Sequence, residues 1–302
     1  MTHYCFVHLE FGNARREPSI ELLSRFREAF VRPGDHVGLV IVDNARTDGE
    51  ESYTGFGFEA ARVIPGDNSN REFSGWDAGV AAVLAHSDEP EVWIFTNDTV
   101  ARHQGWSPQR AARFGQEIER LSTHAAPWIL GEVNDYVRSV NTPLGPQLEY
   151  IVTYGFAMNN TLRRGLVTLS PGNEFLDSLV HDSFEPARKL FRDHVDPGYA
   201  ETRLVFMVAD PVQMAETKRK YKWSGGWYKA SPLSAENFAD MRMKLRCVVS
   251  ETLLSVRARQ LGADIRSPYD ARNGRARVRT TLQFFADKLW ERRFMRRLKR
   301  SG

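Results

Sequence analysis

The sequence predicts an α/β fold, and three observations lead there. Apolar runs of strand length alternate with segments of helical periodicity through the first half of the chain. Two of these runs stop abruptly at polar turns, Asp43-Asn44 and Asn97-Asp98-Thr99. The 302 residues are 42% hydrophobic and 26% charged, which is ample material for a core. That length lies near the upper limit for one core, so one enlarged domain or a domain with an appended module is expected.

The elements follow in order. Tyr4 to Leu9 (YCFVHL) reads as a buried strand. Ser19 to Phe30 sets Ile20, Leu23, Phe26 or Arg27, and Phe30 at helical spacing behind a Pro-Ser start. Val37 to Val42 (VGLVIV) is a second buried strand, Ala60 to Ile64 a short third, Glu72 to His86 an Ala-rich helix and Glu91 to Phe95 the next strand. Strands separated by helices imply crossover connections and a parallel sheet covered on both faces. Pro127 to Val133 and Glu149 to Met158 read as two further strands, followed by a helix from Thr161. Residues 183 to 265 read as mostly helical, with helices over 201–209, 235–246 and 248–260.

Composition narrows the class. With 22 Gly, 14 Pro and two Cys, the chain is neither disordered, collagen-like nor a disulfide-stapled mini-protein. Cys5 and Cys247 lack metal-clamp or redox spacing and are expected to be buried thiols in a reducing compartment. The first residues show no basic segment leading into an apolar one, and no run of eighteen apolar residues occurs, so a cytoplasmic protein is expected. There is no G-x-x-x-x-G-K-[ST], G-x-S-x-G or G-x-G-x-x-G, which removes the main support for ATPase, serine hydrolase and nicotinamide-enzyme readings. The pairs His3/His8 and His181/His194 lack further partners at ligand spacing, so a structural zinc site is not expected.

Charge is unevenly spread. Residues 271–302 carry eleven Lys/Arg against two acids, so the first 270 residues carry a net −6 within the overall +3. A mildly acidic body makes nucleic acid an unexpected partner. Leu282 to Lys299 places Phe285, Leu289, Phe294 or Arg293, Met295 and Leu298 near one helical stripe among arginines. Such a helix suits an anionic membrane surface through residues 282–300, and it suits RNA, a docking partner or plain solvent as well.

In open α/β sheets ligands bind beyond the carboxyl ends of the strands, so Asp43-Asn44 and Asn97-Asp98-Thr99 fall on one rim. Either turn alone is explained by Asx hydrogen bonding to its own backbone. Between them, an Asn/Ser-rich turn from Gly66 delivers Arg71 and Glu72 to the start of a helix containing Gly75 and Gly79. A helix start beside an arginine suits an anion. Glycines within a helix mark close approach of a ligand, or of the sheet.

The turn Glu10 to Asn13, IVDNARTDG at 41–49, NSNREFSGWDAGV at 68–80 and WIFTNDTV at 93–100 together resemble the nucleotide-sugar-binding half of a GT-A-fold glycosyltransferase. The likeness is to bacterial family 2 and rhamnosyltransferase-like polysaccharide transferases, and it covers roughly residues 4 to 180. It implies a GT-A, Rossmann-like and mostly parallel sheet flanked by helices, with a helical C-terminal extension. The expected divisions are 1–182 for nucleotide-sugar binding and catalysis, 183–270 for a helical extension with an acceptor-side loop, and 271–302 for the basic tail.

The resemblance also implies roles. Asp43 would accept hydrogen bonds from the nucleobase or ribose, with Asn44 supporting the turn, while Arg71 and the amides around Asn68 would face the nucleotide or diphosphate. Asn97-Asp98-Thr99 would stand in place of an Asp-x-Asp motif, Asp98 holding Mg²⁺ or Mn²⁺ shared with the diphosphate of the leaving group. The triplet departs from the family pattern in having one carboxylate, and a metal-independent site relying on Arg71 or another cation is the alternative.

Family position puts the general base in the acidic segment after the last strand, Glu174, Asp177, His181 and Asp182, with Asp177 first and Glu174 next; a solvated helix face explains the same spacing. Tyr150, Tyr154 and Phe156 could stack on a sugar or fill the core. Trp223, Trp227 and Tyr228 around Gly225-Gly226 could form a lid or a packed connector.

The implied activity is transfer of a sugar from a nucleotide-sugar donor to a surface polysaccharide or a lipid-linked acceptor, in a cytoplasmic enzyme that the tail could bring to the inner membrane. The competing readings are a nucleotidyltransferase and a non-catalytic carbohydrate- or membrane-binding scaffold.

Overall fold

The computed structural model describes residues 1–101, 106, 108–185, 189–207, 227 and 229–268. Their centre is an eight-stranded mixed sheet. In chain order the strands are β1 (His3–Glu10), β2 (His36–Asp43), β3 (Glu51–Gly55), β4 (Phe58–Pro65), β5 (Val92–Asn97), β6 (Trp128–Thr142), β7 (Gly145–Asn159) and β8 (Asp264–Arg266). The helices are α1 (Arg16–Arg27), α2 (Glu72–His86), α3 (Pro108–Ser122), α4 (Asn160–Leu166), α5 (Asn173–Leu179), α6 (Pro197–Met207) and α7 (Phe238–Gln260). The spatial order is β3-β4-β2-β1-β5-β7-β6-β8.

The expected parallel sheet is present only in part. β4, β2, β1 and β5 run parallel, as expected of strands joined by helices. β7 then enters antiparallel beside β5 and pairs with β6 as a long hairpin, because Thr142 and Gly145 turn the chain directly back without a crossover. β3 makes a second hairpin with β4 at the far edge.

Side-chain alternation divides the core. Tyr4, Phe6, Leu39, Ile41, Val92 and Ile94 face α1 and α3. Cys5, Val7, Leu9, Val40, Val42, Trp93 and Phe95 face α2 and α7. On the first face Phe26 of α1 meets Phe6 and Phe114 edge-on, at ring separations of 5.9 and 5.5 Å. Truncating any one of these rings should cost about 3–5 kcal/mol. On the second face Gly75 and Gly79 of α2 lie so close to β1 that a methyl group would overlap Leu9 Cδ1 or Val7 Cγ1. These glycines therefore serve helix–sheet packing, the second of the two readings open from sequence.

The two helices expected over 235–246 and 248–260 are one helix, α7, whose apolar spacing runs unbroken through Cys247. Cys247, Leu254 and Ala258 pack toward the sheet, while Met241, Leu245, Val249, Leu253 and Val256 pack against α5 and α6. α7 is thus an inner layer. The chain then returns to the sheet as β8, parallel to β6.

Both cysteines are buried and unpaired. Among the described residues no helix is long and apolar enough to cross a membrane. The basic tail 271–302 and the aromatic loop residues Trp223 and Tyr228 lie outside the described residues.

Candidate functional site

Parallel strands end together, so β1, β2, β4 and β5 deliver their following loops to one edge. The chain order reverses between β1 and β5, which is where α/β sheets form a binding crevice. The loops are tied to one another by the backbone. The Asn44 amide donates to the Glu10 carbonyl and the Asp98 amide to the Leu9 carbonyl, both at 2.9 Å, and the Gly66 amide donates to the Asp43 carbonyl at 3.0 Å. Asp43 Oδ1 accepts from the amides of Gly12 (2.7 Å) and Ala45 (2.9 Å). The Asp43 side chain thereby fixes the loop after β1 as well as its own turn.

The Asn44 amide nitrogen donates to Asn68 Oδ1 (3.2 Å) and to the Arg71 carbonyl (3.1 Å). A side chain at position 66 would occupy the place of Asn44 Oδ1, so only glycine fits there. Asn68 (φ 51°) and Arg71 (φ 48°) both have left-handed backbones, with a cost of roughly 1–3 kcal/mol each that the surroundings must supply. Asn70 is the anchor. It is buried, and its side-chain amide donates to Ser170 Oγ (3.0 Å) and to Ser250 Oγ on α7 (3.1 Å). Arg71 Nε is buried without a hydrogen-bond partner among the described residues.

Charge at the rim is organised by α1. Arg16 Nε donates to Glu10 (2.8 Å), and the same guanidinium reaches Glu51 at 3.0 Å and Asp43 at 3.7 Å. Burial pushes the Glu10 carboxyl up to about 7 against the opposing pull of Arg16, with Asp43 and Asp98 adding to the rise. Its Oε2 has no hydrogen-bond partner among the described residues. Arg15 lies 3.3 Å from Asp98 Oδ2. Asn97 Oδ1 accepts from the Thr99 amide (3.1 Å) and from the Thr99 hydroxyl. Asn97 therefore serves the turn itself, and Asp98 is the acid that the turn presents.

The sequence-predicted residues thus divide into two groups. Asp43, Asn44, Asn68 and Arg71 are brought together, with Asn97 and Asp98 on the same rim one strand away. Asp177 and Glu174 lie on α5, across α7 from the sheet. α5 ends at Leu179, so His181 does not continue the face expected of Glu174, Asp177 and His181. Glu174 is exposed. Asp177 is ion-paired with Arg242 and with Arg246 (3.1 Å) of α7.

The aromatic residues of β7 also separate. Phe156 is core and stacks on Phe95, while Tyr154 is buried with Arg110 and Glu132 at its hydroxyl. The Arg203 guanidinium lies 5.3 Å from the Tyr150 ring centre.

Sequence reasoning missed a second set of charges where α2, β7 and α7 meet. Glu72 opens α2 and accepts from the Cys247 thiol at 2.8 Å. Burial would raise its carboxyl, but Lys244 and the thiol outweigh it and hold the group below the usual range. Burial would lower the Lys244 ammonium, and the negative groups around it, Glu72 and Glu251 among them, reverse that and raise it. Glu251 Oε1 accepts from the Thr153 amide (2.9 Å) and hydroxyl (3.1 Å), and burial raises this carboxyl despite those bonds. Lys244, Cys247 and Glu251 follow at helical steps of three and four, a spacing legible in the sequence.

A hard cation shared with a diphosphate needs only one or two protein carboxylates. Asp98, whose side chain is 18% exposed at the reversal point, fits that requirement as a single ligand. Among the described residues no group of three or more His, Cys, Asp or Glu is arranged to enclose a metal. Compared with known proteins, the chain matches no family model and no curated protein significantly.

Proposed function

We propose that this chain is a GT-A-type glycosyltransferase that moves a sugar from a nucleotide-sugar donor to a polysaccharide or lipid-linked acceptor. The observation that carries the reading is the junction at Asn44, which ties the loop after β2 to the turn at Asn68 and Arg71, on the rim that also presents Asp98. A polar loop system at a sheet's reversal point, with cationic side chains and a carboxylate in reach, suits a nucleoside diphosphate.

In this reading Asp43 is held by two amides through Oδ1, and Oδ2, which lies 3.7 Å from the Arg16 guanidinium, accepts from the base or ribose. Asn44 keeps the Arg71 loop in its left-handed form, and Arg71 faces the diphosphate. Asp98 would hold Mg²⁺ or Mn²⁺, which would supply charge stabilisation to the departing diphosphate. Arg15, 3.3 Å from Asp98 Oδ2, contributes positive charge beside that carboxylate.

The test is titration of UDP-, dTDP- and GDP-sugars into the full chain by calorimetry, with and without Mn²⁺. Micromolar binding of one donor, strengthened by Mn²⁺ and returned to its metal-free level by EDTA, supports the assignment. Absence of binding to every donor would favour the non-catalytic scaffold.

A further inference from the structure

Resting on that transferase reading, we propose that Glu251 of α7 is the catalytic base that takes the proton of the acceptor hydroxyl. Three observations place it. The last β5–β7 pair is Thr96–Gly155, and the antiparallel β7 puts Thr153 two residues beyond it, on the side toward which β5 delivers Asp98. Thr153 then fixes Glu251 from the strand, with its amide and hydroxyl both on Oε1. Among the described residues no donor meets Oε2. Finally, Val249, Ser250, Thr252 and Leu253 around it are buried, yet Glu251 stays part-exposed, as do Lys244 and Glu72 beside it. One oxygen is clamped and, among the described residues, the other meets no donor in a side chain that is not fully buried, which leaves it able to accept a proton.

The remaining carboxylates are less suited. Glu72 is bonded to the Cys247 thiol through Oε2 and held below the usual carboxylate range, and Asp177, whose Oδ1 takes both arginines, lies on α5, across α7 from the sheet. The groups facing Glu251 are Lys244 and Cys247 on its own helix, Thr153 on β7 and Arg203 on α6, while Glu72 and Arg71 act on it through Lys244. Desolvation raises the Glu251 carboxyl and so increases its basicity.

In the step, the acceptor O–H bond breaks and its proton passes to Glu251 Oε2. The freed oxygen pair forms the new bond to the anomeric carbon. The bond from that carbon to the diphosphate oxygen breaks, its electron pair leaving with the nucleoside diphosphate. Water then takes the proton from Glu251.

The experiment uses the full chain with water as acceptor, following release of UDP, dTDP or GDP from UDP-glucose, dTDP-rhamnose and GDP-mannose, beside calorimetric binding of the free nucleoside diphosphates. Glu251→Gln is expected to bind the nucleoside diphosphate within about 2-fold of the parent while release falls about 10²-fold or more. It should also lose the acidic limb of the pH–rate profile, and Glu251→Asp should restore part of the rate. Thr153→Val removes one hydrogen bond to the carboxylate, so the acidic limb should move to higher pH.

Release within about 3-fold of the parent in Glu251→Gln overturns the role, as does a loss of rate matched by loss of nucleotide binding. A parent that binds nucleotide but hydrolyses no donor overturns it too, since a base placed for a hydroxyl is placed for water. A parent that binds no nucleotide overturns the transferase reading itself and this role with it.

Discussion

The Asn44 side chain joins two loops that are remote in sequence, donating to Asn68 Oδ1 and to the carbonyl of Arg71 at 3.2 and 3.1 Å. Asn44→Ala removes both bonds and leaves the Arg71 carbonyl with only the Ser74 hydroxyl (3.2 Å) and the Gly75 amide (3.4 Å). A loss of about 1–3 kcal/mol is expected by urea denaturation, because the left-handed turn loses its support. Nucleotide affinity should fall roughly tenfold in the same variant, read by calorimetry.

Asp43 and Asp98 should separate by their response to metal. Asp43→Ala frees the amides of Gly12 and Ala45 and should weaken nucleotide binding whether or not Mn²⁺ is present. Asp98→Ala should keep the metal-free affinity and lose the increment Mn²⁺ provides. Equal, metal-independent losses in both would remove Asp98 from the metal site.

Glu10 should make the fold sensitive to pH near neutrality. Its carboxyl is raised to about 7, so the folded state holds a proton that the unfolded chain releases near the ordinary value of 4.5. The stability it contributes is fully present below that value and is lost as pH rises to about 7, a change of roughly 3 kcal/mol. Melting temperature should decline across this interval in the parent, and Glu10→Gln should remove that part of the slope.

Gly75→Ala and Gly79→Ala should destabilise by about 1–3 kcal/mol each, despite alanine's better helix propensity, because the added methyl meets Leu9 or Val7. Urea unfolding measures this directly. A stabilised Gly79→Ala would show that α2 can lift from β1 without penalty.

The parallel half of the fold is legible in the sequence because its strands are buried on both faces. YCFVHL, VGLVIV and EVWIF have no polar alternation to confuse them, and β1, β2 and β5 enclose those segments or nearly so. β3 was not read because ESYTG is an exposed edge strand with no apolar signature, held mainly by its hairpin with β4. α3 does carry a sequence signal, the buried stripe of Ala111, Phe114, Ile118 and Leu121 at helical spacing. The break expected at Cys247 fails because a small buried thiol continues the sheet-facing stripe of α7.

At the rim, Asp43, Asn44, Arg71 and Asp98 were legible because polar residues that end apolar strands must gather at one edge. The Arg16 hub was not, since its partners Glu10, Asp43 and Glu51 come from three strands whose register no local pattern states. The meeting of Glu72 with Lys244 and Glu251 is hidden for the same reason: the helical spacing on α7 is legible, but its contact with the start of α2 is tertiary. Asp177 is suggested by spacing, and only the packing of α5 on α7 reveals the two arginines that meet its Oδ1.

Because α7 has apolar partners on opposite flanks, it has no neutral position from which to shift. A displacement that relieves one flank must open the other, and Ser250 and Glu251 ride on the same turn. The Asn70 anchor and the Thr153 clamp therefore rest on one turn of α7, so a single displacement of that turn breaks both.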